Sequence, residues 1–181
     1  NEQGGLHREF GQYDMAEREF TQAKNILGRL VGENHPDYIT TVNNLAGLYR
    51  RQNRFAEAKA LFQEVLHRYD KAMGKDNIYY ASALNNLGLV YQDEKEYETA
   101  IEYFKKGLAI VRAYDLSKPA YGIGMSNIGA CYRELGQKEE AERAMAEAES
   151  VLYYALGEGH PLYKNCLAEL QELRKEMRKE G

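Results

Sequence analysis

Asparagine recurs in the interior of three similar stretches of the chain, and its side-chain amide can bind a peptide backbone. The five residues are Asn43, Asn44, Asn85, Asn86 and Asn127. Asparagine is a poor residue for a helix interior, because its amide competes for backbone hydrogen bonds. The amide carries both donors and an acceptor, which suits recognition of an extended peptide whatever the peptide's side chains. The alternative is that one asparagine in each stretch bonds a neighbouring helix or loop and holds the fold together.

Arginine forms a second series at equivalent positions of these stretches. Arg8, Arg50 and Arg133 share one position, and Gln92 interrupts the series. Arginine can hold a carboxylate through two hydrogen bonds, which would suit an acidic partner. The next position is mostly acidic and would offset this charge, which favours a solvated face with internal ion pairs. The residues at that next position are Glu9, Arg51, Asp93 and Glu134.

The remaining reactive residues form no catalytic, metal or cofactor motif. The histidines include no pair at i, i+4 with a carboxylate at metal-ligand spacing, and those before proline, His35 and His160, are predicted to be structural. Gly122-Ile123-Gly124 is similar to the start of a dinucleotide loop, but Asn127 occupies the third glycine position and no strand precedes it. We therefore expect no enzyme activity, no metal and no cofactor.

Composition limits the partners and the compartment. The formal net charge is −4, which argues against a nucleic-acid partner, since such a partner needs a concentrated basic surface. No run of about 18 apolar residues is present, so no membrane span is expected. Cys131 and Cys166 are predicted to be small buried hydrophobes at different depths of neighbouring helices, without a disulfide. Reduced thiols fit a cytoplasmic protein.

The asparagine-containing stretches mark an internal repeat. Asn44 to Asn86 spans 42 residues and Asn86 to Asn127 spans 41, a near-fixed period that is typical of a solenoid. Apolar residues within each period follow helical spacing, which predicts helix pairs separated by breaks such as Gly32 to Pro36. On the first helix of a pair, the apolar and small residues share one side and the asparagines and arginines the other.

The helix pairs resemble the tetratricopeptide repeat over essentially the whole chain. Its period of 41–42 exceeds the usual ~34 residues, which is similar to the longer subtype found in kinesin light chains and bacterial scaffold proteins. Lys138 and Met145 depart from the aromatic positions of the pattern, which we expect to weaken packing slightly. The positions that carry the resemblance are Val42, Leu45, Ala46 and Tyr49; Leu84, Leu87, Gly88 and Tyr91; Met125, Ile128, Gly129 and Tyr132; and, in the second helices, Phe55, Ala58 and Phe62; Tyr97, Ala100 and Phe104; Ala141; Tyr13, Ala16 and Phe20.

The resemblance implies an all-α, right-handed superhelical solenoid of antiparallel helix pairs with a single C-terminal capping helix. We expect one domain over residues 1–181. It begins partway through a helix, so its exposed first edge could form a homodimer. The predicted divisions are a partial repeat at 1–34, full repeats at 35–76, 77–117 and 118–157, and the capping helix at 158–181.

In the resembling family, the first helices line a concave groove that binds other proteins. We therefore expect a protein–protein interaction scaffold that binds a peptide or helical segment, without nucleic acid or membrane. The alternative is a peptide-sensing regulatory module of a larger bacterial protein. The candidate groove residues are Asn43, Asn44, Arg50, Asn85, Asn86, Leu89, Ser126, Asn127 and Arg133.

Overall fold

The computed structural model describes residues 12–114 and 119–180, and this part of the chain is all α-helical. The predicted all-α fold class is confirmed. The predicted break from Gly32 to Pro36 separates the first two helices, and Pro36 begins the second of them. The helices are α1 (Tyr13–Leu30), α2 (Pro36–Arg51), α3 (Phe55–Met73), α4 (Ile78–Asp93), α5 (Tyr97–Tyr114), α6 (Pro119–Glu134), α7 (Lys138–Leu156) and α8 (Pro161–Glu180).

Short turns make the helices within a pair antiparallel. The turn between α2 and α3 places Asn53 at a φ of 58°, and the turn between α6 and α7 places Gly136 at 74°. The amide of Arg54 donates to the carbonyl of Tyr49 at 2.9 Å, and the amide of Gln137 donates to that of Tyr132 at 2.9 Å. This left-handed C-terminal cap satisfies carbonyls that the helix end would otherwise leave unpaired.

The longer breaks between pairs have their own capping chemistry. Gly32 and Gly157 have φ values of 86° and 79°, which glycine adopts without steric cost. The Nδ1 atoms of His35 and His160 each accept a hydrogen bond at 3.2 Å from the backbone amide two residues later. Each histidine precedes a proline at the start of its helix. The prediction that both histidines are structural is confirmed.

The chain divides into two compact units, Asn1–Val90 and Tyr91–Gly181. In the described part of the first unit, α2 packs between α1 and α3. One apolar cluster joins Ile39 and Val42 of α2 to Val65 of α3. A second joins Phe20 of α1 to Leu48 of α2. These residues have the helical spacing that predicted the core.

In the second unit, α6 packs against α5 and α7, and α7 packs against α8. Gly122 and Gly124 lie buried in α6, where an added Cβ would lie 2.8 Å from Leu152 Cγ and 2.6 Å from Leu108 Cδ2. The glycines that resemble a dinucleotide loop therefore allow close helix packing. Met145 is only 1% exposed and packs with α8 residues, so this departure from the family pattern is fully buried.

Several predictions fall outside the described residues. They are the partial helix at the start of the chain, with Arg8 and Glu9, and the boundary between the predicted repeats 77–117 and 118–157. The predicted repeat divisions and the single domain stay predictions. No helix within 12–114 or 119–180 is both long enough and apolar enough to cross a membrane.

Candidate peptide-binding surface

In the first unit, α2 separates a packed side from a more open side. Val42 and Ala46 are fully buried. Asn43 and Asn44 are half-buried. A Cβ added at Gly47 would meet no atom within 4 Å, so the space beside the asparagines is open at this level of the helix. The sidedness predicted from the repeat pattern is therefore present in α2.

One candidate pair is in direct contact. The Asn86 side chain on α4 donates from Nδ2 to Asn43 Oδ1 on α2 at 3.1 Å. A primary amide has two N–H donors and an oxygen with two lone pairs. The contact uses one donor of Asn86 and one lone pair of Asn43, so the pair joins two helices and retains hydrogen-bonding groups on both residues.

Asn85 and Leu89 continue this surface along α4. Both are half-buried, whereas Leu84, Leu87 and Gly88 are buried. Since Asn85 and Leu89 are four residues apart, they lie on one side of the helix. Leu89 therefore adds a partly exposed apolar side chain beside the polar amide.

In the second unit, the candidate residues of α6 lie on the side that carries α8. Burial raises the pKa of the Cys166 thiol to about 11, and the Ser126 hydroxyl has a smaller, lowering effect on that pKa. The thiol donates to the Met145 carbonyl at 3.6 Å. Arg133 donates through Nη2 to Glu176 and lies 3.5 Å from Glu172 Oε2 through Nη1. Asn127 is half-buried on the same helix.

Arg133 is thus held inside the fold. The hydrogen bond to Glu176 raises the pKa of its guanidinium, which stays charged. Burial raises the pKa of the Glu169 carboxyl, and the Arg133 cation lowers it by less. Two α8 carboxylates, Glu172 and Glu176, therefore contact this arginine, and its charge stabilises the packing of α8 on α6.

The polar network around Tyr49 was not predicted from the sequence. Its hydroxyl donates to Glu17 Oε1 at 3.0 Å, and Arg54 Nη1 donates to Glu17 Oε2 at 2.7 Å. Burial, and then the bond to Glu17, raise the pKa of the Tyr49 hydroxyl. The Arg54 guanidinium lies 3.9 Å from the centre of the Tyr49 ring. The partners belong to three helices or turns, so spacing within one helix gives no signal for them.

The cysteines and carboxylates show no reactive arrangement. Cys131 and Cys166 are free and buried. Burial raises the pKa of Cys131 to about 12, so its thiol stays protonated near neutral pH. Within residues 12–114 and 119–180, no cluster of histidine, cysteine or carboxylate side chains could hold a metal ion.

Antiparallel helix pairs with a small residue at the close approach and a repeated apolar pattern define a helix-pair repeat protein. The profile of the tetratricopeptide repeat family matches residues 1–71 and 79–153. The chain belongs to the tetratricopeptide repeat family, and the resemblance predicted from the repeat motifs is confirmed. The family indicates a protein–protein interaction module.

Solved structures share this fold. A Podosopora anserina protein assigned as a kinesin light chain, with nearly identical TPR-like repeats, has a TM-score of 0.79 and 20% identity over 99% of this chain and 86% of that one. BtubC (BKLC) from P. vanneervenii has a TM-score of 0.75 and 24% identity over 87% of this chain and 63% of that one. The apo form of RapI has a TM-score of 0.79 and 16% identity over 98% of this chain and 47% of that one. A search of curated proteins finds no match.

Proposed function

We propose that this chain is an interaction scaffold that binds a peptide or helical segment of a partner protein through the asparagine-bearing sides of its first helices. The observation that carries the proposal is the Asn43–Asn86 contact beside the open space at Gly47. It supports a surface on which polar amides are fixed in place and still have hydrogen-bonding capacity.

The proposed chemistry is recognition of a peptide backbone. The Asn43 amide offers N–H donors to a peptide carbonyl, and the Asn86 oxygen offers an acceptor to a peptide N–H. Because Asn86 already bonds Asn43, both amides are oriented before a partner arrives, which lowers the entropic cost of binding. Leu89 supplies apolar contact, and Arg50 supplies a cation for a carboxylate of the partner.

In the second unit, we assign Ser126, Asn127 and Arg133 to the equivalent side of α6. Arg133 acts there as a positioning residue, because its guanidinium is held by Glu176 and Glu172. Ser126 contacts the Cys166 thiol. We also expect the side-chain amide of Asn127 to contact a partner.

The test begins with peptides selected from a random library on the intact chain. Asn44→Ala and Asn85→Ala should each weaken the selected peptide by about tenfold, since a lost hydrogen bond in a desolvated site costs about 1–3 kcal/mol. The matched controls are Asn25→Ala on α1 and Asn165→Ala on α8, both at exposed helix positions. Equal affinity of all four variants and the parent chain would sink the proposal.

A second candidate is a peptide-sensing module within a longer regulatory protein. It draws on the fold shared with RapI, whose solved structure is described as an apo form and of which this chain covers 47%. A regulatory or catalytic domain in the flanking sequence would support this candidate. Further repeats in place of such a domain would contradict it.

A further inference from the structure

A groove of about 420 Å³ lies in the second unit between α5 and α7, with α6 as its floor. Its base is apolar: Leu108, Ile128 and Ala144 are 8%, 3% and 5% exposed, respectively. Met125 of α6 completes this base. Met125 and Ile128 lie on nearly the opposite side of α6 from Ser126 and Asn127. The groove is therefore distinct from the asparagine-bearing surface.

The two walls of the groove carry opposite charge. Lys105 and Arg112 line the α5 wall. Lys105 donates to the Tyr132 hydroxyl at 2.9 Å, and neither cation forms an ion pair with any described residue. The α7 wall carries Glu140, Arg143 and Glu147, of which the first two pair with each other and Glu147 accepts a bond from Tyr121 at 2.8 Å. The α5 wall is thus basic and the α7 wall is net acidic.

The equivalent groove of the first unit, between α1 and α3, has a volume of about 530 Å³ and is lined by charged groups that pair with one another. Arg68 bonds Glu33 at 2.7 Å and Glu64 at 2.9 Å, and Tyr38 donates to Glu64 at 3.4 Å. Lys24 lies 3.9 Å from Glu64. The charges of Lys24, Arg68, Glu33 and Glu64 are therefore already paired within the groove, although the groove itself is open.

Two repeats further along the chain, two residues of these ion pairs have been replaced by apolar residues. The position of Lys24 is Leu108, and the position of Arg68 is Val151. The position of Gly28 is Arg112. Leu108 and Val151 replace cations that form ion pairs in the first unit. Arg112 adds a cation that forms no ion pair with a described residue. The hydrogen bond between Tyr38 and Glu64 has its equivalent in Tyr121 and Glu147. The second groove therefore has the same architecture and lacks the internal ion pairs of the first.

We propose that this groove binds an amphipathic helix of a partner protein, with two carboxylates on one flank, apolar side chains at its centre and a cation on the other flank. Lys105 and Arg112 are seven residues apart on α5, which separates them by about 10.5 Å along the helix axis. Carboxylates at i and i+7 of the partner helix match this separation. The apolar side chains enter the groove, and the cation faces Glu147.

The test uses a fluorescent synthetic helix with Glu at i and i+7 on one flank, Leu at i+1, i+4 and i+8 at the centre and Lys at i+5 on the other flank. A second peptide carries Lys in place of the two Glu residues. Fluorescence anisotropy with the intact chain should show binding of the Glu peptide. Lys105→Glu combined with Arg112→Glu should weaken that binding at least tenfold and strengthen binding of the Lys peptide.

Two matched controls separate the groove from net charge. Lys106→Glu combined with Lys164→Glu makes the same change of charge at exposed positions outside the groove. Ala109→Trp is a further groove variant, because it narrows the groove. Its control, Ala113→Trp, adds the same bulk to α5 outside the groove, and both alanines are exposed. Neither the double lysine variant nor Ala113→Trp should change affinity more than twofold. Failure of the parent chain to bind the Glu peptide, equal binding of both peptides, or equal losses in the control variants would each overturn the proposal.

Discussion

Asn86 on α4 donates its side-chain amide to Asn43 on α2 across 3.1 Å, and so links the first helices of two consecutive helix pairs. The contact joins residues 43 positions apart, one more than the sequence period at this point. Two roles for these asparagines are consistent with the sequence: holding the fold together and binding a partner. This pair links two helices. The remaining N–H donors and oxygen lone pairs of the two amides can still bind a partner.

The Asn43–Asn86 link should contribute measurably to stability. We expect Asn43→Ala and Asn86→Ala each to lower the free energy of unfolding by about 1 kcal/mol, because each leaves a half-buried amide without its partner. The double variant should lose less than the sum of the two single losses. Urea unfolding followed by circular dichroism gives the three values. Asn25→Ala, at an exposed position of α1, is the control and should change little. Strict additivity of the two losses would show that the contact carries no coupling energy.

Two helix glycines should respond in opposite directions to alanine. Gly47→Ala should stabilise the chain by about 1 kcal/mol, since alanine favours a helix and its Cβ meets no atom within 4 Å. At Gly129 the added Cβ would lie 2.6 Å from Met145 Cγ and 3.3 Å from Ala141 O, so we expect a loss of about 1–3 kcal/mol. Thermal unfolding of the two variants measures both signs. A stabilised Gly129→Ala variant would mean that α6 and α7 are not packed this closely.

The buried thiols should make stability depend on alkaline pH. Burial raises the pKa of Cys131 to about 12 and that of Cys166 to about 11. The folded chain therefore keeps both protons at a pH where the unfolded chain has released them. The resulting stabilisation is complete below the unfolded pKa of about 8.5 and is lost as pH rises towards the folded values. Between about pH 8 and about pH 9.5, we expect unfolding free energy to fall by about 1 kcal/mol for each thiol.

Urea unfolding at both pH values measures this effect, and Cys166→Ala supplies the comparison. That variant is less stable at either pH because it loses buried volume, but its stability should change less between the two pH values than that of the parent chain. An equal change in both would assign the pH dependence to other groups.

The helix bounds were predictable because the chain marks its breaks with residues that have one physical role. Gly32 and Gly157 supply positive φ, and the histidines after them cap the following helices. The core was predictable for a similar reason, since Leu45, Ala46 and their equivalents recur at helical spacing and are buried. These features depend on residues close together in the sequence.

The polar contacts between helices could not be read in the same way. Arg133 is predicted to line the binding surface, and the contacts of its guanidinium with Glu172 and Glu176 of α8 were not predicted. Asn43 and Asn86, like Arg133 and Glu176, are 43 residues apart. Such pairs depend on the stagger between successive first helices, which the period alone does not specify. The basic wall at Lys105 and Arg112 was missed because charges on a second helix resemble a solvated face.

The most direct test of the binding surface places bulk in the open space at Gly47. Gly47→Phe adds a ring beside Asn43 and Asn44 without a steric clash at Cβ, so the fold should be retained. The control, Ala60→Phe, adds the same ring at an exposed position of α3. The measurement is the affinity of both variants for a peptide selected on the parent chain. The account predicts at least a tenfold loss for Gly47→Phe and none for Ala60→Phe, and unchanged affinity of the Gly47→Phe variant would contradict it.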